Sequence, residues 1–444
     1  MSGILDHFEM NEPRFLALLE KLIGESKFLQ NSPSQGLIPK EDLAIRHILE
    51  VLSPYMKENG GVLEVEKINF VADRGNLIIK YPGTGAGVCS FVGSHMDVVP
   101  ADPSGWERDP FKLMIDGDTL YGRGTTDCLG HVALLTDFLA TLGETKPALK
   151  HSIVVVLIAN EENGSFKGVG VDQLAVEGHM DQLKNGPLFW IDAADSQPCI
   201  GTAGNAQWCL KAVGKLFHSG LPHKGINAIE FAMDSVAYIQ KRFYADFPKV
   251  PEETTYNFVT QSNMKPTQIS CTPGSLNQLP PECTVQGDVR ITPFYHTSQV
   301  IAKVNEYVAD INANPDIVST MGEGDMPVHG PHSKYTLPEQ SFNGRLELKW
   351  IGEGENGVAC KLDSKGYAAI LEATEKVLGS VKPYAIGGSL PLIRDLQDQG
   401  FDVQIAGYGI SSRYHADNEA VSLNSLKNAT KIISNVVSCL ERDA

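Results

Sequence analysis

The chain has 444 residues, room for two or three domains, and its 42% hydrophobic content can fill substantial cores. A formal net charge of −17 with no offsetting basic patch argues against nucleic acid or an anionic membrane as partner, and no uncharged apolar run reaches the roughly 18 residues of a membrane-spanning helix. The eight cysteines lack C-x-x-C spacing and read as reduced thiols; with an N-terminus too acidic for a transit peptide and without an apolar signal core, they predict a cytoplasmic protein.

In chain order, Asn11 is placed to cap a helix carrying Phe15, Leu18, Leu19, Leu22 and Ile23, and Leu43, Ile45, Ile48, Leu49 and Leu52 mark a second. Strands are expected at 62–70 and 76–81. The glycine-rich 83–87 opens a strand rather than a helix, so it reads as a turn and not a phosphate loop. An apolar run from Cys89 to Gly93 leads to His95 and Asp97, which alternation along a strand would put side by side. A metal-binding imidazole with a carboxylate fixing its tautomer is one reading; a hydrogen-bonded core pair is the other.

A glycine-rich turn, 122–126, sets Asp127 ahead of a helical pattern in Val132, Leu134, Leu135, Phe138 and Leu139. The carboxylate is then aimed off the carboxyl side of a sheet, where open α/β sheets gather ligands, although an N-cap role competes. His131, four residues on, reads as an ordinary polar residue of that helix, with ligation as the alternative. The β-branched run 153–158 suits a strand buried on both faces and ends at Asn160-Glu161-Glu162; two adjacent glutamates there diverge, and each needs a partner. The strand 188–191 ends likewise at Asp192-Ala193-Ala194-Asp195. Three strands and one helix start therefore deliver acids or an imidazole to one rim.

From Gln207 the pattern becomes strand 207–213, helix 227–244, strands 267–271 and 283–291, helix 298–311 and strand 345–350. This is the β-α-β-β-α-β order of a ferredoxin-like unit inserted in a larger α/β domain. Segments 248–265 and 314–343 read as loops. Helix 365–378, strand 381–386, helix 390–399, strand 403–406 and helix 425–440 return to α/β alternation. The expected division is 1–206 and 355–444 for the larger domain and 207–354 for the insert.

Ser94-His95-Met96-Asp97-Val98-Val99-Pro100, Gly122-Arg123-Gly124-Thr125-Thr126-Asp127 and Glu161-Glu162 together resemble the dinuclear zinc amidohydrolase/peptidase family that includes acetylornithine deacetylase, succinyl-diaminopimelate desuccinylase, aminoacylase, carboxypeptidase G and cytosolic dipeptidases. Over nearly its full length the chain looks most like the plant-type acetylornithine deacetylases of that family. The resemblance implies a mixed-sheet α/β catalytic domain flanked by helices, with an inserted α+β domain serving as lid and dimerisation surface. It implies hydrolysis of the amide of an N-acyl amino acid, N2-acetyl-L-ornithine first, with a broader N-acyl amino acid or a dipeptide as the alternative. A non-catalytic protein binding an amino acid derivative is the reading from another class, and it would be favoured by a missing Glu161 or ligand.

The same resemblance implies two Zn2+ ions, for which Co2+ or Mn2+ could substitute: Asp127 bridging, His95 and Asp192 completing one site, Glu162 and His415 the other. Asp195 competes with Asp192. Glu161 would move the proton from the attacking water to the leaving amine, and Asp97 would orient His95. His218, in the motif at 214–228, would reach the active site of the partner subunit in a homodimer and stabilise the oxyanion, with His223 as its competitor within the motif. Asn277 and Arg290 resemble substrate-carboxylate contacts, although an ion pair inside the insert competes for Arg290. Gly388 and Ser389, read as opening a helix after a strand, could hold an anion on backbone N–H groups, against a plain helix start. Where the family often has methionine or aspartate and then lysine after the bridging aspartate, this chain has Cys128-Leu129-Gly130. That change leaves the expected ligand set intact and removes the lysine's contacts. The resemblance also implies a cis peptide after Asp127.

Overall fold

Buried apolar runs in this sequence assemble into two separate cores. The computed structural model describes residues 5, 7–164, 166–319, 329 and 334–442, so parts of the N-terminal stretch and of the expected loop at 314–343 lie outside the described residues. The chain divides into one unit of Met1–Ile200, Cys360–Tyr384 and Pro391–Ala444 and a second of Gly201–Ala359 with Ala385–Leu390. The boundaries fall a few residues from those expected at 206/207 and 354/355, and the short segment Ala385–Leu390 groups with the second unit.

The first unit opens with α1 (Glu12–Glu25), capped by the Asn11 side chain on the Arg14 N–H, and α2 (Asp42–Leu52), both burying their apolar stripes. Then come β1 (Glu64–Val71), β2 (Arg74–Tyr81), β3 (Val88–His95), the small β4 (Met114–Asp116) and β5 (Thr119–Tyr121), α3 (Leu129–Thr145), β6 (Ser152–Ile158), α4 (Val171–Val176), β7 (Pro187–Ile191) and β8 (Cys199–Thr202). Every residue of β3, β6 and β7 is buried, as their near-continuous apolar sequences require.

In the second unit follow β9 (Gly204–Val213), β10 (Phe217–His218), α5 (Ala228–Asp246), α6 (Pro251–Thr255), β11 (Asn263–Cys271), β12 (Gln278–Leu279), β13 (Glu282–Ile291), α7 (Thr297–Ala313), β14 (Thr336–Leu337), β15 (Phe342–Asn343), β16 (Arg345–Glu355) and β17 (Val358–Ala359). The antiparallel sheet runs β11-β13-β9-β16. Burial alternates strictly along β13, and its inward residues Cys283, Val285, Val289 and Ile291 share a core with Phe231 and Ile239 of α5 and Val304 and Tyr307 of α7. The expected loop 248–265 holds α6 and the start of β11, because Asn263 to Lys265 pair with Arg290 to Asp288.

The chain returns to the first unit with α8 (Lys365–Leu378), passes through β18 (Tyr384–Ile386), most of which groups with the second unit, and continues in the first with α9 (Ile393–Asp398), β19 (Asp402–Ala406), β20 (Ala420–Ser422) and α10 (Leu423–Arg442). In its sheet, β1-β2-β6-β3-β7-β19 are successive neighbours. β3 is parallel to β6 and β7, and β19 is parallel to β7, while β2 runs antiparallel to β6. The sheet is therefore mixed, with four parallel strands whose carboxyl ends open on one rim. β20 joins β5 and β4 in a separate three-stranded sheet.

Candidate metal centre

The rim residues come from the ends of the parallel strands. β3 and β6 slip register between Val92 and His95, where Gly93 has φ +95° and an added Cβ would lie 2.5 Å from the Trp190 ring. Such a bulge re-aims the strand end, here at His95. The His95 Nε2 stands 2.9 Å from Asp127 Oδ1, 3.8 Å from Asp192 Oδ1 and 3.9 Å from Glu161 Oε2. On the other edge of the ring, Nδ1 lies 2.9 Å from the backbone carbonyl of Asp97 and 3.5 Å from its carboxylate. Asp97 thus orients His95 chiefly through its main chain, because the chain leaves the strand at His95 rather than continuing the alternation.

The Asp97 carboxylate has other donors. It accepts the N–H groups of Glu161 and Glu162, each at 3.1 Å, and the Asn31 side-chain amide at 2.8 Å. The same Asn31 amide donates to Asn160 Oδ1, which also receives Arg74; Arg74 is held by both oxygens of Glu41. Asn160 itself has φ 62°, a left-handed backbone that asparagine tolerates, and turns the chain out of β6. A buried chain of contacts from Glu41, just before α2, to the glutamate pair thus fixes where Glu161 and Glu162 point. Nothing in the sequence pattern marked Asn31, Arg74 or Glu41.

Asp127 is positioned by a residue almost 300 places away. Glu419 accepts the N–H groups of Gly124, Thr126 and Asp127 at 3.0, 2.8 and 2.9 Å and the Arg123 guanidinium at 2.7 Å. Cys128, not Asp127, is the N-cap residue of α3, and the Asp127-Cys128 peptide is cis. The Asp127 carboxylate, not used as a helix cap, faces both imidazoles: its Oδ2 is 3.1 Å from His415 Nε2, which is also 3.2 Å from Glu162 Oε2. His415 reaches this point on the loop after β19 with φ 55°, a conformation that costs a non-glycine residue about 1–3 kcal/mol and recurs at functional sites.

His131 takes no part: its Nε2 accepts the Tyr408 N–H at 2.9 Å and its Nδ1 lies 3.2 Å from Cys128 Sγ. Burial pushes it down to about 4. Asp195 is occupied by the Ser411 N–H at 3.1 Å. The Tyr414 hydroxyl is buried without a hydrogen-bond partner.

Six ionisable groups converge with too much negative charge. Burial, reinforced by Asp192, pushes Glu161 well above the usual carboxyl range; burial and Asp127 push Glu162 up to about 7, and burial pushes Asp192 up to about 7. Hydrogen bonds to Asp127 and Glu162 push His415 up to about 10. Burial opposes protonation of His95, but Cys128, Asp127, Asp97 and Asp192 outweigh it and hold the ring well above its ordinary value. Buried Asp192 Oδ1 and Glu162 Oε1 have no hydrogen-bond partner, a costly state for carboxylate oxygens. The ligand atoms of His95, Asp127 and Glu162 lie within 4.8 Å of one another, and so do those of His95, Cys128 and Asp192. This donor set fits divalent cations such as zinc, cobalt or manganese.

The remaining expected site residues lie in the second unit. His218 on β10 pairs with Gln278 of β12, its Nδ1 accepts the Gly220 N–H at 3.0 Å, and Asn277 is a neighbour through its carbonyl, which accepts the Ser219 N–H at 2.9 Å. Arg290 on β13 donates from Nε to Asp288 at 2.6 Å, the ion pair that competed with a substrate contact. Gly388 and Ser389 do not open a helix: α9 starts at Ile393, because Pro391 disfavours helical backbone at Leu390 and Leu392 turns left-handed at φ 70°. Instead the Gly388 carbonyl accepts the Ala203 N–H, and Ser389 Oγ accepts from the Asn205 amide at 2.8 Å.

Comparison with known proteins bears on the whole chain. It is 53% identical to acetylornithine deacetylase of Arabidopsis thaliana, over 98% of this chain and 97% of the relative, and 51% identical to that of Dictyostelium discoideum, over 98% of each. The fold matches the crystal structure of human carnosine dipeptidase 1 with a TM-score of 0.66 at 16% identity, covering 97% of this chain and 96% of that one. The model of peptidase family M20/M25/M40 matches residues 91–438, a span that contains each metal-ligand candidate identified above, and the chain belongs to that family.

Proposed function

We propose that the protein is a metal-dependent hydrolase that converts N2-acetyl-L-ornithine and water to L-ornithine and acetate, a step of arginine biosynthesis. Identity above 50% to two acetylornithine deacetylases over nearly the whole chain carries the substrate, and the converging carboxylates and imidazoles carry the chemistry. Two divalent cations, zinc by first choice, would be held by His95 and Asp192 and by Glu162 and His415, with Asp127 shared. When bound, they would lower the pKa of the attacking water and polarise the amide carbonyl.

Glu161 takes the proton of the attacking water and delivers it to the leaving α-amine; its buried carboxyl, held well above the usual range, suits a group that must carry a proton between two steps. Asp97 keeps His95 and both glutamates in place through the contacts above. His218 is read as the residue that stabilises the tetrahedral oxyanion from a partner subunit, and Asn277 and Arg290 as contacts to the substrate carboxylate.

A homodimer fits the second unit taken by itself. Residues 267–271 of the edge strand β11 are exposed, and a groove of about 440 Å³ between β11 and α5 is lined by Met233, Val236, Ile269 and Val285. An exposed strand edge beside an apolar groove is suited to pairing with a second copy of itself. A cytoplasmic location accords with eight cysteines that are all free. Among the described residues, no helix is long and apolar enough to cross a membrane.

The test is a hydrolysis screen of metal-loaded protein against N2-acetylornithine, other acetylated amino acids and dipeptides. Acetylornithine is expected to have the highest kcat/KM. Glu161→Gln is expected to lower kcat by about 10²- to 10⁴-fold with both cations retained; unchanged turnover would remove the proposed base.

A further inference from the structure

We propose that Cys128 is an additional protein ligand of this metal centre, giving the position held by His95 and Asp192 a sulfur donor and a preference for thiophilic cations. The proposal rests on the dinuclear reading above and goes beyond its five-residue set. The ligand atoms of His95, Cys128 and Asp192 all lie within 4.8 Å of one another and are all buried. Asp192 Oδ1, on a side chain only 3% exposed, has no hydrogen-bond partner and stands 3.8 Å from His95 Nε2. An unsatisfied buried carboxylate oxygen and a thiol beside one imidazole form a cation site in their own right.

The surroundings of the sulfur favour its use as an acceptor. Because His131 Nε2 accepts the Tyr408 N–H, the neutral ring must carry its hydrogen on Nδ1, 3.2 Å from Cys128 Sγ. A histidine N–H aimed at sulfur supports a metal-bound thiolate as outer donors support other ligands. Sγ–H points to the Ile191 carbonyl at 3.6 Å. A bound cation would take the place of that hydrogen on the sulfur, and the thiol proton would pass to solvent, since a coordinating thiol is deprotonated outright. Mixed nitrogen, oxygen and sulfur donors select zinc, cobalt or cadmium over manganese.

The test uses full-length protein stripped of metal and reloaded with Co2+, with bound cobalt counted by elemental analysis. Wild type is expected to show a near-ultraviolet thiolate-to-cobalt charge-transfer band. Cys128→Ser and Cys128→Ala are expected to bind two cobalt ions without the band, one of them at least tenfold more weakly, while manganese affinity changes less than threefold. Two bound cobalt ions with no band in wild type, or a band that survives in either variant, would overturn the assignment and leave the dinuclear reading standing. Failure of wild type to bind cobalt at all would overturn both. Should the alanine variant not fold, the serine variant, isosteric with a weak donor, decides the matter.

Discussion

At the scale of single residues, the candidate centre depends on side chains outside its proposed ligand set. Glu419 is fully buried and satisfies three backbone N–H groups and Arg123 at once. Removing one partner of a buried pair leaves the other charged and unsatisfied, at a cost of about 3–5 kcal/mol. Glu419→Ala is expected to lose that much unfolding free energy in urea titration and to release metal, since Asp127 loses its anchor; a loss below about 1 kcal/mol would contradict the assigned role. Of the residues that the sequence singled out for the proposed centre, His95, Glu161, Glu162 and Asp192 follow buried strand runs and Asp127 follows a glycine-rich turn, places where an ionisable group stands out locally. Glu419 and Asn31 do not stand out, because their partners are about 290 and about 66 positions distant and no local pattern encodes such a bond.

At the scale of elements, the carboxyl end of β3 is the part least tolerant of change. Gly93 combines a positive φ with a Cβ position 2.5 Å from the Trp190 ring, so both backbone and packing forbid a side chain. Gly93→Ala is expected to cost about 1–3 kcal/mol by chemical denaturation and, by shifting His95, to weaken metal binding more than it weakens the fold. Equal metal affinity in the variant would show that the bulge does not aim the ligand. Sequence alternation anticipated β3 but not its bulge, and it therefore set the His95–Asp97 contact through the carboxylate when the nearer partner is the backbone carbonyl. For the same reason α9 was expected three residues early: helical periodicity carries past Pro391, whereas the backbone does not.

At the scale of the whole molecule, cation binding and folding are coupled through protons. In the metal-free protein Glu162 and Asp192 are pushed up to about 7 from ordinary values of 4.5 and 3.8, so stability falls as pH rises through that interval, where the unfolded chain is ionised and the folded one is not. His415, pushed up to about 10 from 6.5, contributes stability that is fully present below pH 6.5 and lost as pH rises towards 10. Solvent screening reduces this second part, because the ring is 58% exposed. Both act in one direction, and cations held by the proposed ligands would displace the same protons. The Tm of chelator-treated protein is expected to fall between about pH 5 and about pH 9, and the increment on adding Zn2+ to grow. Scanning calorimetry across that range checks it; an increment that shrinks with pH would contradict the coupling. The dimer reading has its own measurement: Ile269→Asp on the exposed strand edge is expected to shift sedimentation from dimer to monomer, and kcat should fall with it if His218 acts across subunits.

Composition and periodicity alone determined the two-core organisation, the inserted β-α-β-β-α-β unit and the strand ends that carry acids, because each follows from residues near one another in the chain. The tertiary structure decided the rest: which carboxylate meets which imidazole, that Asp195 and His131 are taken by backbone groups, and that Cys128 faces His95 and Asp192. Those choices depend on four parallel strands being brought edge to edge and on a loop some 290 residues beyond Asp127 folding back onto it. Hydrogen bonds and charge contacts are settled by distance in space, and spacing along a chain carries that information only within a helix turn or a strand.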